Sequence, residues 1–358
     1  MTSAQDAQDA DPDAKYGELL TFYCPFPWAT SPDTALLQEH TLAWAKRFDL
    51  GERDSEQTVM LALTGAVFTA HAYPHARREL AQALADYGAW AWMANEHAGS
   101  GRPSGELLAE FGRWDRIMRS PNSWPDASNP LDAALRDSML RLHSCMSGVQ
   151  WQRFIASQGH WLYSMAWEAS LREYGEECGV NDYLATRIGS GGCDAAPGYV
   201  DAVEGIELSE KHWARPAVRA ATEALMTATV LDNDRYSYLR EQRLPVEKHN
   251  LFRALRREHP HYTAEQAIIH AVAIRDRCMN LYLALREQLL VDADEDLRRY
   301  LTGLQLVFSG NITFGITAAR YLLAELAPRI TRADKPSTSS IDPLPYPTIA
   351  WWWDHLTP

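Results

Sequence analysis

An all-α fold is predicted for this 358-residue chain by three observations: apolar residues recur at helical spacing, no alternating strand pattern of useful length appears, and the breaks are short and turn-like. Leu36, Leu37, His40, Thr41 and Trp44 fall three and four residues apart, as do Met139, Leu142 and Met146. The breaks are Gly99-Ser100-Gly101-Arg102-Pro103, Ser120-Pro121-Asn122-Ser123 and Gly189-Ser190-Gly191-Gly192. Segments joined this way predict roughly ten or more helices in one bundle.

In chain order, Met1 to Lys15 is rich in Asp, Ala and Gln and has no apolar core, which reads as a disordered leader rather than a signal peptide. Phe22-Tyr23-Cys24-Pro25-Phe26-Pro27-Trp28 carries two prolines and four aromatics, so a packed extended segment is expected there. Helical spacing begins near Ser31. The tail from Asp334 is rich in Pro and Ser and ends in Trp351-Trp352-Trp353-Asp354; three adjacent exposed tryptophans are costly, so the tail is expected to dock as a cap. The expected division is a leader over 1–15, a helical domain over 16–330 and a docked tail over 331–358.

Composition narrows the function. Hydrophobic residues make up 46% and charged residues 23%, enough apolar mass for a large core. The net charge of −13 argues against a nucleic-acid surface, which needs clustered Lys and Arg. Five widely spaced cysteines, with no CxxC pair, indicate neither a disulfide framework nor a zinc site. No stretch approaches the roughly 18 to 20 apolar residues of a membrane span. A cytoplasmic protein is the expectation.

The most informative spacing lies in Asn233-Asp234-Arg235-Tyr236-Ser237-Tyr238-Leu239-Arg240-Glu241. Asn233, Ser237 and Glu241 recur every four residues and so share one stripe of a helix, with about 6 Å of rise per step. An amide oxygen, a hydroxyl and a carboxylate are hard ligands of the kind Mg²⁺ prefers, and Arg240 is placed to hold a phosphate beside them. On spacing alone, a solvated helix face explains the same stripe.

The segment resembles the second metal-binding motif of class I terpene synthases, (N/D)D-x-x-(S/T)-x-x-(K/R)-E, at every defined position. Tyr183-Leu184-Ala185-Thr186-Arg187 looks like the diphosphate sensor of that family, with Gly191 at the effector position and Ser190 where an Asp linker often stands. Gly310 to Tyr321 is similar to the family's late helix ending in an Arg-Tyr pair, here Arg320 and Tyr321, with Phe314 replacing a frequent Trp. The first metal motif departs from the family. After the aromatic scaffold Asp86-Tyr87-Gly88-Ala89-Trp90-Ala91-Trp92, the usual aspartates are replaced by Asn95 and Glu96, and Gly99 offers no ligand at the third motif position.

The resemblance implies the class I terpene synthase helical bundle around an apolar cavity, and an enzyme that ionises an isoprenoid diphosphate and cyclises the cation. Farnesyl or geranylgeranyl diphosphate is the implied substrate, and a precyclised diphosphate is a further option. It implies Mg²⁺, three ions in the closed complex, held by Asn233, Ser237 and Glu241 on one side and by Asn95 and Glu96 in a weakened site on the other. Diphosphate would be held by Arg187, Arg240, Arg320 and Tyr321, with the Gly191 carbonyl assisting ionisation. Phe68, Trp90, Trp92 and Phe314 are the implied aromatic walls, and a homodimer is a further expectation. Because of Asn95 and Glu96, a catalytically impaired or non-catalytic isoprenoid-diphosphate binder of the same fold stands as the alternative.

The histidines read as structural. Pro74 separates His71 from His75 and disfavours the regular helix that would align them as ligands. Glu258-His259-Pro260-His261 reads as a turn before a helix starting near Thr263. No HExxH, Walker or Ser-His-Asp signature is present.

Overall fold

Local capping chemistry starts and stops the helices where the periodicity changes. In the computed structural model, which describes residues 19–52, 55–125, 129–175, 178–241, 250–321 and 330–357, the longer helices are α1 (Thr34–Arg47), α2 (Glu56–Ala72), α3 (Arg78–Ala98), α4 (Ser104–Arg119), α5 (Pro130–Cys145), α6 (Gly148–Tyr174), α7 (Val180–Ser190), α8 (Pro216–Glu241), α9 (Leu251–Glu258), α10 (Ala264–Val291) and α11 (Glu295–Thr317). Ser147 with Gln150, and Thr263 with Gln266, form capping boxes that open α6 and α10. Gly175, in the left-handed conformation at φ 63°, closes α6. In α1, Leu37, Thr41 and Trp44 face the core, whereas His40 of the predicted stripe is exposed. Among the described residues, no helix is long and apolar enough to cross a membrane.

Small residues set how closely the central helices approach. A Cβ on Gly65 of α2 would lie 2.2 Å from the Ala89 backbone nitrogen, and one on Gly88 of α3 would lie 3.2 Å from the Gly65 Cα. The two helices therefore cross backbone to backbone. That crossing fixes Phe68 on α2 beside Trp92 on α3, with ring centroids 5.7 Å apart.

The N-terminal extended segment is pinned rather than free. Residues Thr21–Tyr23 form β1, which pairs in parallel with β2 (Thr331–Ala333), Thr21 opposite Thr331. Three residues per strand are too few to show an alternating pattern, so this pairing was not legible beforehand. The buried Arg275 guanidinium donates to the Tyr23 carbonyl at 2.6 Å and to Asp232 Oδ2 at 2.6 Å, tying β1 to α8. The predicted leader, 1–15, lies outside the described residues.

The tail returns along one flank. Trp352 is fully buried, stacks on Trp353 and donates its indole N–H to Glu223 at 3.0 Å; Trp353 donates to the Ile341 carbonyl at 2.7 Å. Thr348 N–H donates to Asn181 Oδ1 on α7 at 3.0 Å. These partners hold the tryptophans against the outer sides of α7 and α8. None of the three is among the residues that line the central cavity.

Candidate active site

The stripe on α8 comes out as spaced. Ser237 is buried and its Oγ has no hydrogen-bond partner among the described residues, an expensive state for a hydroxyl unless something else engages it. Asn233, one turn earlier, accepts from the Arg187 guanidinium at 2.8 Å and donates through Nδ2 to the Tyr236 hydroxyl at 2.9 Å. Tyr236 in turn donates to Asn311 Oδ1 at 2.9 Å, and Asn311 donates to the Thr229 carbonyl at 3.0 Å. The amide is thus oriented with its oxygen toward Arg187.

Arg187 is aimed by its neighbour. Its Nε donates to Asp234 Oδ1 at 3.0 Å, while the opposite carboxylate oxygen accepts from the Tyr183 hydroxyl and from the Leu251 N–H at 3.2 Å. Burial lowers the Arg187 pKa, but Asp234 and the surrounding anions outweigh it and hold the guanidinium well above its ordinary value. Burial, reinforced by Asp234, pushes the Tyr183 phenol well up, so it is a neutral donor. At the end of α7, Gly191 N–H donates to the Arg187 carbonyl at 2.9 Å, and a Cβ on Gly191 would lie 2.6 Å from Val230 Cγ1 on α8. Only glycine fits between the sensor helix and α8. Ser190 Oγ beside it is buried without a partner.

Across the mouth, Arg320 and Tyr321 sit in the turn just beyond the end of α11 at Thr317 rather than on the helix itself. Arg320 is 7% exposed; it donates through one terminal nitrogen to Glu96 on α3, and its Nε and other terminal nitrogen have no hydrogen-bond partner among the described residues. Burial alone would lower its pKa, but Tyr321 and Glu96 raise it above the ordinary value, so it stays charged. Arg240 donates to the same Glu96 oxygen at 3.3 Å. Glu96, expected as a ligand of a weakened metal site, thus stands between two of the predicted diphosphate arginines. Asn95 lines the cavity.

Phe68, Trp92 and Phe314 form one aromatic wall, with Phe68 to Phe314 at 5.3 Å and Trp92 to Phe314 at 5.9 Å, both edge-to-face. Trp90 does not belong to it. Two residues apart on a helix is about 200° of rotation, and with Trp92 facing inward Trp90 faces the opposite side. There it is fully buried, donates to the Leu131 carbonyl at 3.0 Å and meets Trp114 edge-on at 5.1 Å. Trp90 is core.

The groups gathered at the mouth suit Mg²⁺ and diphosphate: on α8 a hard-oxygen stripe and a buried hydroxyl without a partner among the described residues, and across from them a buried guanidinium with two nitrogens unpaired among the described residues. The α3 side fits less well, because the Glu96 carboxylate already accepts from Arg240 and Arg320. Asp234, Tyr183, Tyr236 and Asn311 support the site but carried no role from sequence. All four stood inside the recognised segments, but Asn311 and Tyr236 become partners only through the crossing of α8 and α11.

An all-α bundle with cationic and hard-oxygen groups ringing the mouth of an aromatic cavity is the arrangement of a class I isoprenoid-diphosphate enzyme. Residues 86–280 match the family described as terpene synthase family 2, C-terminal metal binding. The diterpene cyclase DtcycB of a Streptomyces species is 41% identical over 336 residues, spanning 94% of this chain and 97% of that protein. The (+)-T-muurolol synthase of Streptomyces clavuligerus, described as cyclising (2E,6E)-farnesyl diphosphate, is 27% identical over 93% of this chain and 82% of its own length. Among solved structures, the SVS_A2 protein from ancestral sequence reconstruction superposes with a TM-score of 0.80 at 28% identity, covering 93% of this chain and 98% of that one. The chain belongs to the terpene synthase family and is a terpene cyclase, a lyase acting on isoprenoid diphosphates.

Proposed function

We propose that this enzyme cyclises geranylgeranyl diphosphate with Mg²⁺, using Asn233, Ser237 and Glu241 as metal ligands and Arg187, Arg240, Arg320 and Tyr321 as the diphosphate clamp. The observation that carries the assignment is Arg320: a buried, charged guanidinium with two nitrogens unpaired among the described residues calls for an anion. Its neighbourhood to Arg240 through Glu96 makes that anion a multiply charged one. The higher identity to a diterpene cyclase than to the farnesyl-cyclising relative supports the longer substrate.

Bound Mg²⁺ would supply Lewis-acid stabilisation of the leaving diphosphate. Arg187, held by Asp234, turns its charge on the same oxygens as ionisation proceeds, which is electrostatic stabilisation aimed at developing charge. Gly191, at the end of α7 and packed against α8, would offer its carbonyl to the substrate as diphosphate leaves. Phe68, Trp92 and Phe314 exclude water along the wall and present π faces to the cation. Asn95 contributes a neutral oxygen at the mouth, and Glu96 orders Arg240 and Arg320.

The test is incubation of the purified protein with Mg²⁺ and, separately, farnesyl and geranylgeranyl diphosphate, with diphosphate release measured and extracts analysed by gas chromatography and mass spectrometry. A cyclic product from geranylgeranyl diphosphate is expected. A product from farnesyl diphosphate alone would overturn the substrate assignment, and no Mg²⁺-dependent diphosphate release from either would overturn the mechanism.

A further inference from the structure

The cavity is apolar along its wall but not at its inner end. From the diphosphate clamp, ring contacts lead inward from Tyr321 to Phe314 at 5.6 Å, Phe314 to Phe68 at 5.3 Å, Phe68 to Tyr73 at 5.9 Å and Tyr73 to Tyr199 at 5.1 Å. Helix α3 gives the same depth: Tyr87 precedes Asn95 by eight residues, roughly 12 Å along the axis. At this floor sit Tyr73, Tyr87, Gln158 and Tyr199, all buried and all lining the cavity.

Their hydrogen bonds do not use up their donors. Tyr73 donates to the Tyr199 hydroxyl at 3.0 Å, and Tyr87 donates to the Gln158 carbonyl oxygen. Gln158 Nε2 donates to Ser157 Oγ at 3.3 Å. A primary amide carries two N–H donors and each phenol one, so the Tyr199 hydrogen and one Gln158 hydrogen find no acceptor among the described residues. Leaving such donors dry inside a protein is costly. Burial pushes the Tyr199 phenol up to about 12 and those of Tyr73 and Tyr87 well above the usual value. All three are therefore neutral donors and acceptors, and none serves as a phenolate base.

We propose that this floor binds one water molecule, between the Tyr199 hydroxyl, the Gln158 amide and the phenol oxygens, and delivers it to the cyclised cation, so that the enzyme's product is a terpene alcohol. A water needs two to four polar partners, and the floor supplies the Tyr199 hydroxyl, the Gln158 amide and the phenol oxygens of Tyr73 and Tyr87. In the step itself, a lone pair of the water oxygen forms the C–O bond to the cationic carbon. One proton of the resulting oxonium is taken up by the released diphosphate, the strongest base that the reaction itself supplies, as the product leaves past the mouth. The sum is isoprenoid diphosphate plus water giving alcohol plus hydrogen diphosphate. The aromatic wall keeps bulk water out, so the bound molecule is the one that reacts.

This inference rests on the cyclase mechanism proposed above, and its test separates the two. The holoenzyme is incubated with Mg²⁺ and geranylgeranyl diphosphate in H₂¹⁸O, with diphosphate release and product composition measured on the same sample. A cyclic alcohol carrying ¹⁸O is expected from the native enzyme. In Gln158→Leu and Tyr199→Phe, the alcohol-to-hydrocarbon ratio should fall about tenfold, as expected for losing one hydrogen bond to the reacting water. In Asn233→Ala the ratio should stay fixed while total release drops. Because the readout is a ratio, partial loss of folded protein in a floor variant does not alter it. Diphosphate release with only hydrocarbon from the native enzyme overturns the floor and leaves the cyclase mechanism standing. An alcohol whose proportion ignores both floor variants also overturns it. No diphosphate release at all overturns the mechanism and the floor with it.

Discussion

Two helix ends face each other across the mouth, the last turn of α3 and the last turns of α8, and they are occupied in different ways. On α8, the Ser237 oxygen is buried with no partner among the described residues, and Asn233 donates to Tyr236 while its oxygen accepts from Arg187. On α3, Glu96 is gripped by Arg240 and Arg320. Divalent-ion binding is largely charge compensation. A carboxylate already compensated by two guanidinium groups has less to give a cation than an uncompensated one. In the mechanism proposed above, α8 is therefore the metal side and α3 the side that orders the arginines.

Removing the α8 ligands breaks this contrast most directly. Asn233→Ala or Glu241→Ala should lower kcat by about 100-fold or more, with the Mg²⁺ concentration for half-maximal rate rising. Circular dichroism should show the helical content retained. Activity within a few-fold of the native enzyme in both would place the metal elsewhere.

A smaller effect with a different signature is expected on α3. Glu96→Gln keeps the shape but removes the charge that holds Arg240 and Arg320, so kcat should fall about tenfold. The half-maximal Mg²⁺ concentration should stay within about twofold, because the charge lost was serving arginines. A rise comparable to that of Glu241→Ala would make Glu96 a metal ligand equal to those on α8 and remove the asymmetry.

The asymmetry also shows where sequence reading runs out. The α8 stripe was legible because a four-residue period on one helix fixes which side chains share a face, and the sensor Arg187 and the Arg320-Tyr321 pair stood in recognisable segments. Which of Trp90 and Trp92 faces the cavity was not, since the 200° between them says only that they differ. The pairing of Glu96 with Arg320 joins residues 224 positions apart, and no local pattern encodes it. The polar floor draws on the end of α2, the middle of α3, α6 and the turn at Pro197–Tyr199; its residues become a set only when these elements converge. Fold class needed periodicity alone, whereas the site needed the crossings.

Restoring the first motif sharpens the comparison from the other direction. Asn95→Asp adds a carboxylate on the cavity side of α3 without touching the Glu96 grip on the arginines. The half-maximal Mg²⁺ concentration should fall a few-fold, about 3-fold, as a charge is added near the ions, with no gain in kcat beyond about 2-fold. No shift in the Mg²⁺ dependence would mean that this end of α3 lies outside the working metal site.

The loop that follows Gly191 is braced from outside by α6, and that brace gives the smallest effect. Asp194 accepts a hydrogen bond from His160 on α6, and that bond raises the His160 pKa above its ordinary value, with burial opposing and Glu223 adding a weaker pull in the same direction. Tyr163 stacks beside the ring. A raised histidine pKa in the folded state means that the pair stabilises fully below the unfolded-state value of about 6.5 and loses that contribution as pH climbs through the folded value. The His160 side chain is 40% exposed, so solvent screening keeps the contribution below about 1 kcal/mol. Asp194→Asn should lower Tm by about 1 °C at most at pH 5.5 and approach the native value once the pH exceeds the folded His160 pKa. An equal loss at both pH values would mean that the brace acts through shape rather than charge.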